Sequence, residues 1–210
     1  MNQLILLRHG QSQWNLENRF TGWKDVPLTI QGINEAKKAG KLIKKKNIRI
    51  DLIFSSVLQR ANETARLVVI EIDQQHLWNY KKELIMSKNQ SLNERDYGDL
   101  VGLNKKETAD KYGKEQVHKW RRSYDVSPPG GESLKDVVLR VQPYFDDIIQ
   151  PEIINKKNIL MVAHGNSLRA TMIRVGLYQP KEISNIEIPT GSPFVINYEN
   201  GKIIDSEYLV

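Results

Sequence analysis

The 210-residue chain contains no cysteine at all. That excludes disulfides and thiolate–metal centres outright. No apolar stretch approaches the roughly 20 residues needed to cross a bilayer. There is no charged leader or small-residue cleavage site either, because Met1-Asn2-Gln3 runs directly into a strand pattern. Linkers, repeat arrays and low-complexity tracts are also missing. The charge is positive, at +6, but no basic stripe interleaved with aromatics accompanies it, so nucleic acid is a poor partner and small anions a better one. With 40% hydrophobic and 27% charged residues, the composition is that of an ordinary globular protein. These absences favour a cytoplasmic enzyme with no membrane segment.

Two apolar runs end in the same dipeptide: Leu4-Ile-Leu-Leu-Arg8-His9-Gly10 and Ile159-Leu-Met-Val-Ala-His164-Gly165. Each reads as a buried strand followed by a helix. Ligands of open α/β sheets bind beyond the carboxyl ends of parallel strands, so two histidines delivered to that edge can share one pocket. Histidine also suits nucleophilic or acid–base work near neutral pH.

The rest of the chain has the grammar of a parallel sheet covered by helices. Residues 3–8 predict the first strand. Thr29 predicts the N-cap of a helix to about Asn47, with Ile33, Ala36, Gly40 and Ile43 on one face. Residues 51–56 read as a strand, and Val57 to about Asp73 as a helix. From about 76 to 131 the periodicity weakens, and a stretch this long and polar reads as a lid or substrate-binding insertion. Ser133-Leu-Lys-Asp136 resembles a capping box ahead of a helix that Pro143 should kink. A strand over 158–163, a helix over about 167–176, and short strands near 193–198 and 202–208 complete the pattern. The expected fold class is α/β: a three-layer α/β/α sandwich with a mostly parallel central sheet, in one domain spanning 1–210.

Arg8, His9 and Arg60, the last just past the second strand, should meet His164 at one sheet edge. A neutral imidazole attacks phosphorus through one ring nitrogen while the other donates to a fixed acceptor. Arginine holds phosphoryl oxygens with a planar fork of donors, and Gly10 would let the backbone approach an anion closely. Two histidines could instead hold a metal ion, but no suitably spaced carboxylate or thiolate completes a ligand set. His76 and His118 fall outside every pattern and read as surface residues.

This constellation resembles the histidine phosphatase superfamily. Its fuller motifs are similar to those of the cofactor-dependent phosphoglycerate mutases. They are Arg8-His9-Gly10-Gln11-Ser12-Gln-Trp14-Asn15, Asn18-Arg19-Phe20-Thr21-Gly22-Trp23, Leu92-Asn93-Glu94-Arg95, Tyr97-Gly98, Gly102-Leu103-Asn104-Lys105 and Trp120-Arg121-Arg122. Arg-His-Gly alone is a weak signal, whereas the ordered set covers essentially the whole chain.

The resemblance implies His9 as the nucleophile, with His164, Arg8 and Arg60 stabilising the transferring phosphoryl group. It implies Glu94 as the general acid–base, with its pKa raised near the phosphate. Lys105, Arg121 and Arg122 would hold the substrate's carboxylate and distal phosphate. Asn15, Thr21, Gly22, Arg95, Tyr97, Gly165 and Asn166 would supply further substrate contacts. The implied reaction interconverts 3- and 2-phosphoglycerate, primed by 2,3-bisphosphoglycerate and without a metal. A phosphomonoesterase of the same fold is the alternative, and a non-catalytic binding module should have lost His9, Glu94 or His164.

The chain departs from the family at Gln11, where glutamate is often found, and at Asp96, where histidine is common. A short passage through Gly130-Gly131-Glu132 touches a region where relatives often build subunit contacts, which leaves a homo-oligomer open. The chain stops at Val210, where longer members continue into a polar tail over the active site. Faster hydrolysis of the bisphosphate primer is the expectation that follows.

Overall fold

Apolar runs without polar alternation suit strands covered on both faces. The two His-Gly runs form β1 (Asn2–Arg8) and β4 (Ile159–Ala163). They lie side by side and parallel, Leu4 opposite Ile159 and Arg8 opposite Ala163. The structure, a computed structural model, describes residues 1–183 and 186–210. β2 (Leu52–Ser55) pairs parallel with the other side of β4, and β3 (Ser87–Lys88) extends that edge in the same sense. β5 (Phe194–Glu199) runs antiparallel to β1, and β6 (Lys202–Tyr208) antiparallel to β5. The sheet order is β3-β2-β4-β1-β5-β6, a mostly parallel sheet as expected.

Successive strand residues face opposite sides, and the two cores divide accordingly. Ile5, Leu7, Ile53, Leu160 and Val162 pack under α2 (Ile30–Lys45) and α3 (Gln59–Ile72). Leu4, Leu6, Phe54, Met161 and Phe194 pack under α6 (Leu134–Tyr144) and α8 (Gly165–Arg174). The result is a three-layer α/β/α sandwich.

The predicted caps form. Thr29 Oγ1 accepts from Gly32 N at 3.1 Å, and Ser133 exchanges hydrogen bonds with Asp136 in a full capping box. α3 begins at Gln59 rather than Val57 because Leu58 stands extended at the N-cap, and it ends where expected, with Asp73 turning left-handed at φ 56°. Where a proline kink was expected, a π-helical turn over Phe145–Ile149 follows α6 and leads into α7 (Gln150–Ile154). Pro143 and Pro151 lack the N–H that a regular ladder needs on either side of that turn. α8 begins at Gly165 rather than 167, because His164 itself stands at the N-cap and its N–H donates to Ser167 Oγ at 3.2 Å.

Within 76–131, β3 joins the main sheet, a two-residue strand with no periodicity to announce it. The same stretch carries α4 (Lys105–Tyr112) and α5 (Lys114–Arg122). Phe20, Leu100, Val117 and Trp120 form a small separate core there. Two further helical turns are α1 (Gln13–Leu16), in the loop after β1, and α9 (Pro180–Ile183), which packs against α8. Among the described residues no helix is long and apolar enough to cross a membrane.

Candidate active site

Because β1 and β4 are parallel neighbours, His9 and His164 emerge together one residue past their strands. The His9 N–H donates to Ala163 O at 3.0 Å. The two rings meet edge to face, centroids 4.9 Å apart and planes at 61°, and both are buried. His9 Nδ1 lies 2.7 Å from Gly10 O. A carbonyl only accepts, so Nδ1 carries the proton and Nε2 keeps its lone pair. Burial, then the neighbouring His164, Arg60 and Arg8, hold the His9 pKa well below its ordinary value. The ring is therefore neutral at pH 7, with its nucleophilic nitrogen fixed.

Gly10 has a different role from the one expected. Its N–H is already donated to Thr64 Oγ1 at 3.1 Å. A Cβ on Gly10 would sit 2.1 Å from Gly32 O, and one on Gly32 would sit 2.1 Å from Gln11 O. The missing side chains let the loop after β1 press against the first turn of α2, rather than making room for an anion.

His164 is held from β2: Ser56 Oγ lies 2.7 Å from its Nε2. Its Nδ1 is buried with no partner among the described residues. Burial, with Arg60, Arg8 and Arg140, depresses its pKa well below the usual histidine value. Arg60 is 1% exposed and donates to the carbonyls of Lys24 (2.9 Å) and Gly22 (2.8 Å). Burial pushes its pKa down to about 10, against the pull of Glu94 and Asp25, so it stays cationic. Arg8 donates to Ile188 O at 2.8 Å, while its buried Nε has no partner among the described residues.

The Glu94 backbone carbonyl is held by Trp23 Nε1 (2.6 Å) and Arg140 Nη2 (2.9 Å). Its Oε1 accepts from Arg95 N (2.8 Å), Asn166 N (3.1 Å) and Asn166 Nδ2 (2.9 Å). Burial alone would raise its pKa, but those donors with Arg8 and Arg60 outweigh it and the net direction is down. The direction is therefore opposite to the one expected from the sequence; a phosphoryl dianion held against Arg8 and Arg60 would offset their pull on the carboxyl.

Two adjoining cavities open here, about 110 and 60 Å³, and Arg8, Glu94, Tyr97 and Lys105 line both. The inner one adds His9, Asn15, Arg19, Thr21, Gly22 and Arg60. The outer one adds Arg121, Arg122, Gly165, Asn166, Arg169 and Glu187. Burial lowers the Lys105 pKa, helped by Arg121 and Arg8. Tyr97 is also lowered: burial opposes the shift, but Arg95 beside the ring prevails. Grooves of about 780 and 840 Å³ lie elsewhere, neither lined by a histidine. Convergent charge, not volume, marks the site.

Most of the residues singled out from the sequence come together at these cavities. Arg95 does not line either one. It is fully buried behind Tyr97, its guanidinium 4.7 Å from that ring, and donates to Tyr97 OH (3.2 Å) and Arg121 O (3.0 Å). It therefore positions two neighbours rather than touching a ligand. His164 likewise lies beneath the cavity walls, against His9. Sequence reasoning missed Ser56, Arg140, Arg169 and Glu187. Ser56 and Arg169 had a readable signal, a hydroxyl at a strand's carboxyl end and a cation one turn beyond His-Gly. Among the described residues no group of three or more His, Asp or Glu side chains converges as a metal-binding set.

The fold and site together define a class of protein in which a neutral histidine, backed by a second histidine and two arginines, faces a cationic pocket at the carboxyl edge of a parallel sheet. The chain belongs to the histidine phosphatase superfamily (branch 1), whose family model matches residues 4–206. It is 50% identical over 207 residues to the 2,3-bisphosphoglycerate-dependent phosphoglycerate mutase of Methylocella silvestris, covering 99% of this chain and 97% of that one. The protein of the same name from Parvibaculum lavamentivorans is 46% identical over 210 residues, covering 100% and 97%. Among solved structures, a mycobacterial glucosyl-3-phosphoglycerate phosphatase complexed with VO3 superposes with a TM-score of 0.78 at 25% identity, covering 94% and 93%.

Proposed function

We propose that this chain interconverts 3-phosphoglycerate and 2-phosphoglycerate through a phosphohistidine at His9, primed by 2,3-bisphosphoglycerate. The chemistry rests on His9, whose Nδ1 is bound to Gly10 O and whose Nε2 is unprotonated. The choice of mutase rests on relatives of that name matched over nearly the whole chain at about half identity.

His9 Nε2 gives its lone pair to phosphorus, and the bond from phosphorus to the ester oxygen breaks. Glu94 delivers a proton to that leaving oxygen, and in the return step takes one from the attacking hydroxyl. Arg8, Arg60 and His164 stabilise the charge that develops on the phosphoryl oxygens. Lys105, Arg121 and Arg122 hold the substrate's remaining anionic groups, with Asn15, Thr21, Gly22, Tyr97, Gly165 and Asn166 fixing its orientation. The scheme draws its positive charge from arginine and lysine rather than from a metal. The pocket suits the primer: it is lined by cations, and the buried Nε of Arg8, one of its lining residues, lacks a partner among the described residues. When bound, 2,3-bisphosphoglycerate supplies the phosphoryl group that loads His9. We read residues 1–210 as one domain with 76–131 as its lid and substrate-binding insertion. The proposal places the enzyme in the cytoplasm.

The alternative, a phosphomonoesterase, draws on the structural likeness to a phosphatase at 25% identity. To test the proposal, the protein is incubated with 2,3-bisphosphoglycerate, digested under alkaline conditions that preserve phosphohistidine, and mapped by mass spectrometry. One phosphate is expected on the peptide containing His9 and none in the His9→Ala variant. An unphosphorylated His9 would overturn the mechanism.

A further inference from the structure

Three arginines of the outer cavity are engaged by one short segment. Arg169 donates through Nε and Nη2 to Ile186 O (3.1 and 2.8 Å). Arg8 donates to Ile188 O (2.8 Å), and Arg122 is paired with the Glu187 carboxylate. Ile188 is buried and Ile186 packs against the same core cluster, so the backbone is anchored on both sides of Glu187. The Glu187 side chain itself is 69% exposed at the cavity mouth.

A carboxylate is out of place on the wall of a pocket for anions. The other carboxylate lining this cavity, Glu94, has its Oε1 committed to Arg95 and Asn166. Glu187 instead occupies Arg122, a cation otherwise available to a ligand. Arg122 and Arg169, with Arg8, hold the Glu187 carboxyl below its ordinary pKa against the effect of burial.

We propose that Glu187 is an internal competitor for Arg122, holding its guanidinium in the ligand-free enzyme until an anionic group of the substrate displaces it. The naming of that group as part of a phosphoglycerate rests on the mutase reading. The competition itself does not, since any ligand whose second anion reaches the outer cavity meets the same carboxylate. A half-exposed pair is worth little, so Glu187 tunes affinity rather than closing the site. Affinity lost equally by bound substrate and transition state raises KM and leaves kcat nearly unchanged.

The test compares wild type with Glu187→Gln, which keeps the shape and removes the charge. The dissociation constant of 3-phosphoglycerate is measured by calorimetry on unprimed protein, and KM and kcat in the primed assay. The expected result is binding and KM tighter by about 2–5-fold at low salt, the range an exposed pair supports, with kcat changed less than about 2-fold and the difference shrinking at high salt. Unchanged or weaker binding in Glu187→Gln would overturn the proposal. So would tightening of equal size in an Arg122→Gln background, because Glu187 would then act by general repulsion. If the mutase reading is wrong, neither protein forms 2-phosphoglycerate, while the calorimetric comparison still decides the role of Glu187.

Discussion

A histidine is a nucleophile only while unprotonated, and His9 is kept so by burial, by two nearby arginines and by its contact with His164. In the proposed mechanism Glu94 has the complementary task of carrying a proton in one half of the cycle. Replacing it with glutamine keeps its size but removes that exchange, so kcat should fall about 10²–10⁴-fold. Loading of His9 by a phosphoryl donor with a good leaving group should survive; a kcat within a few-fold of wild type would remove Glu94 from the mechanism. The two depressed histidines also set a pH dependence of stability. The unfolded chain protonates both near about pH 6.5, whereas the folded protein resists until its lower pKa values are reached. Stability of the unphosphorylated protein should therefore fall as pH drops below about 6.5, seen as a lower urea midpoint at about pH 5.5 than at about pH 7.5. A midpoint that rises on acidification would contradict the neutral, buried pair. His9, His164 and Arg60 were legible because each sits just past the carboxyl end of a readable strand. Glu187 was not singled out, because its importance lies in what the fold brings to it, the Arg122 guanidinium.

Helices and strands were legible wherever apolar spacing or a cap marks them, and illegible where an element is too short to have a period. Thr29 and Ser133 announced their helices by side-chain chemistry alone, and both caps form. The two-residue β3 and the π turn after α6 carry no comparable signature. Two substitutions on neighbouring segments separate cap from contact. Thr29→Ala should cost about 1 kcal/mol of stability and leave kcat near wild type, since Thr29 lines neither cavity. Gly10→Ala must push the loop after β1 off Gly32, where its Cβ would otherwise lie 2.1 Å from Gly32 O. Gly10 O holds His9 Nδ1, so this variant should lose both stability and turnover. Wild-type kcat in Gly10→Ala would show that the loop's position does not govern His9. The N-terminal turn of α8 makes the same point about coupling: starting at Gly165 rather than 167, it presents the Asn166 amide to Glu94.

Across the whole molecule, the parallel sheet delivers two histidines to one edge, and the polar stretch after β2 supplies Glu94, Tyr97, Lys105 and the Arg121–Arg122 pair that line the pocket above them. In the proposed mechanism the reaction turns on whether water or a second hydroxyl of the phosphoglycerate receives the phosphoryl group from His9. An enolase-coupled assay on the purified protein, starting from 3-phosphoglycerate with and without 2,3-bisphosphoglycerate, reads that choice directly. The account predicts rapid formation of 2-phosphoglycerate that rises with the primer and disappears in His9→Ala, with little inorganic phosphate released. Steady release of inorganic phosphate from 3-phosphoglycerate, with no 2-phosphoglycerate formed at any primer concentration, would contradict it.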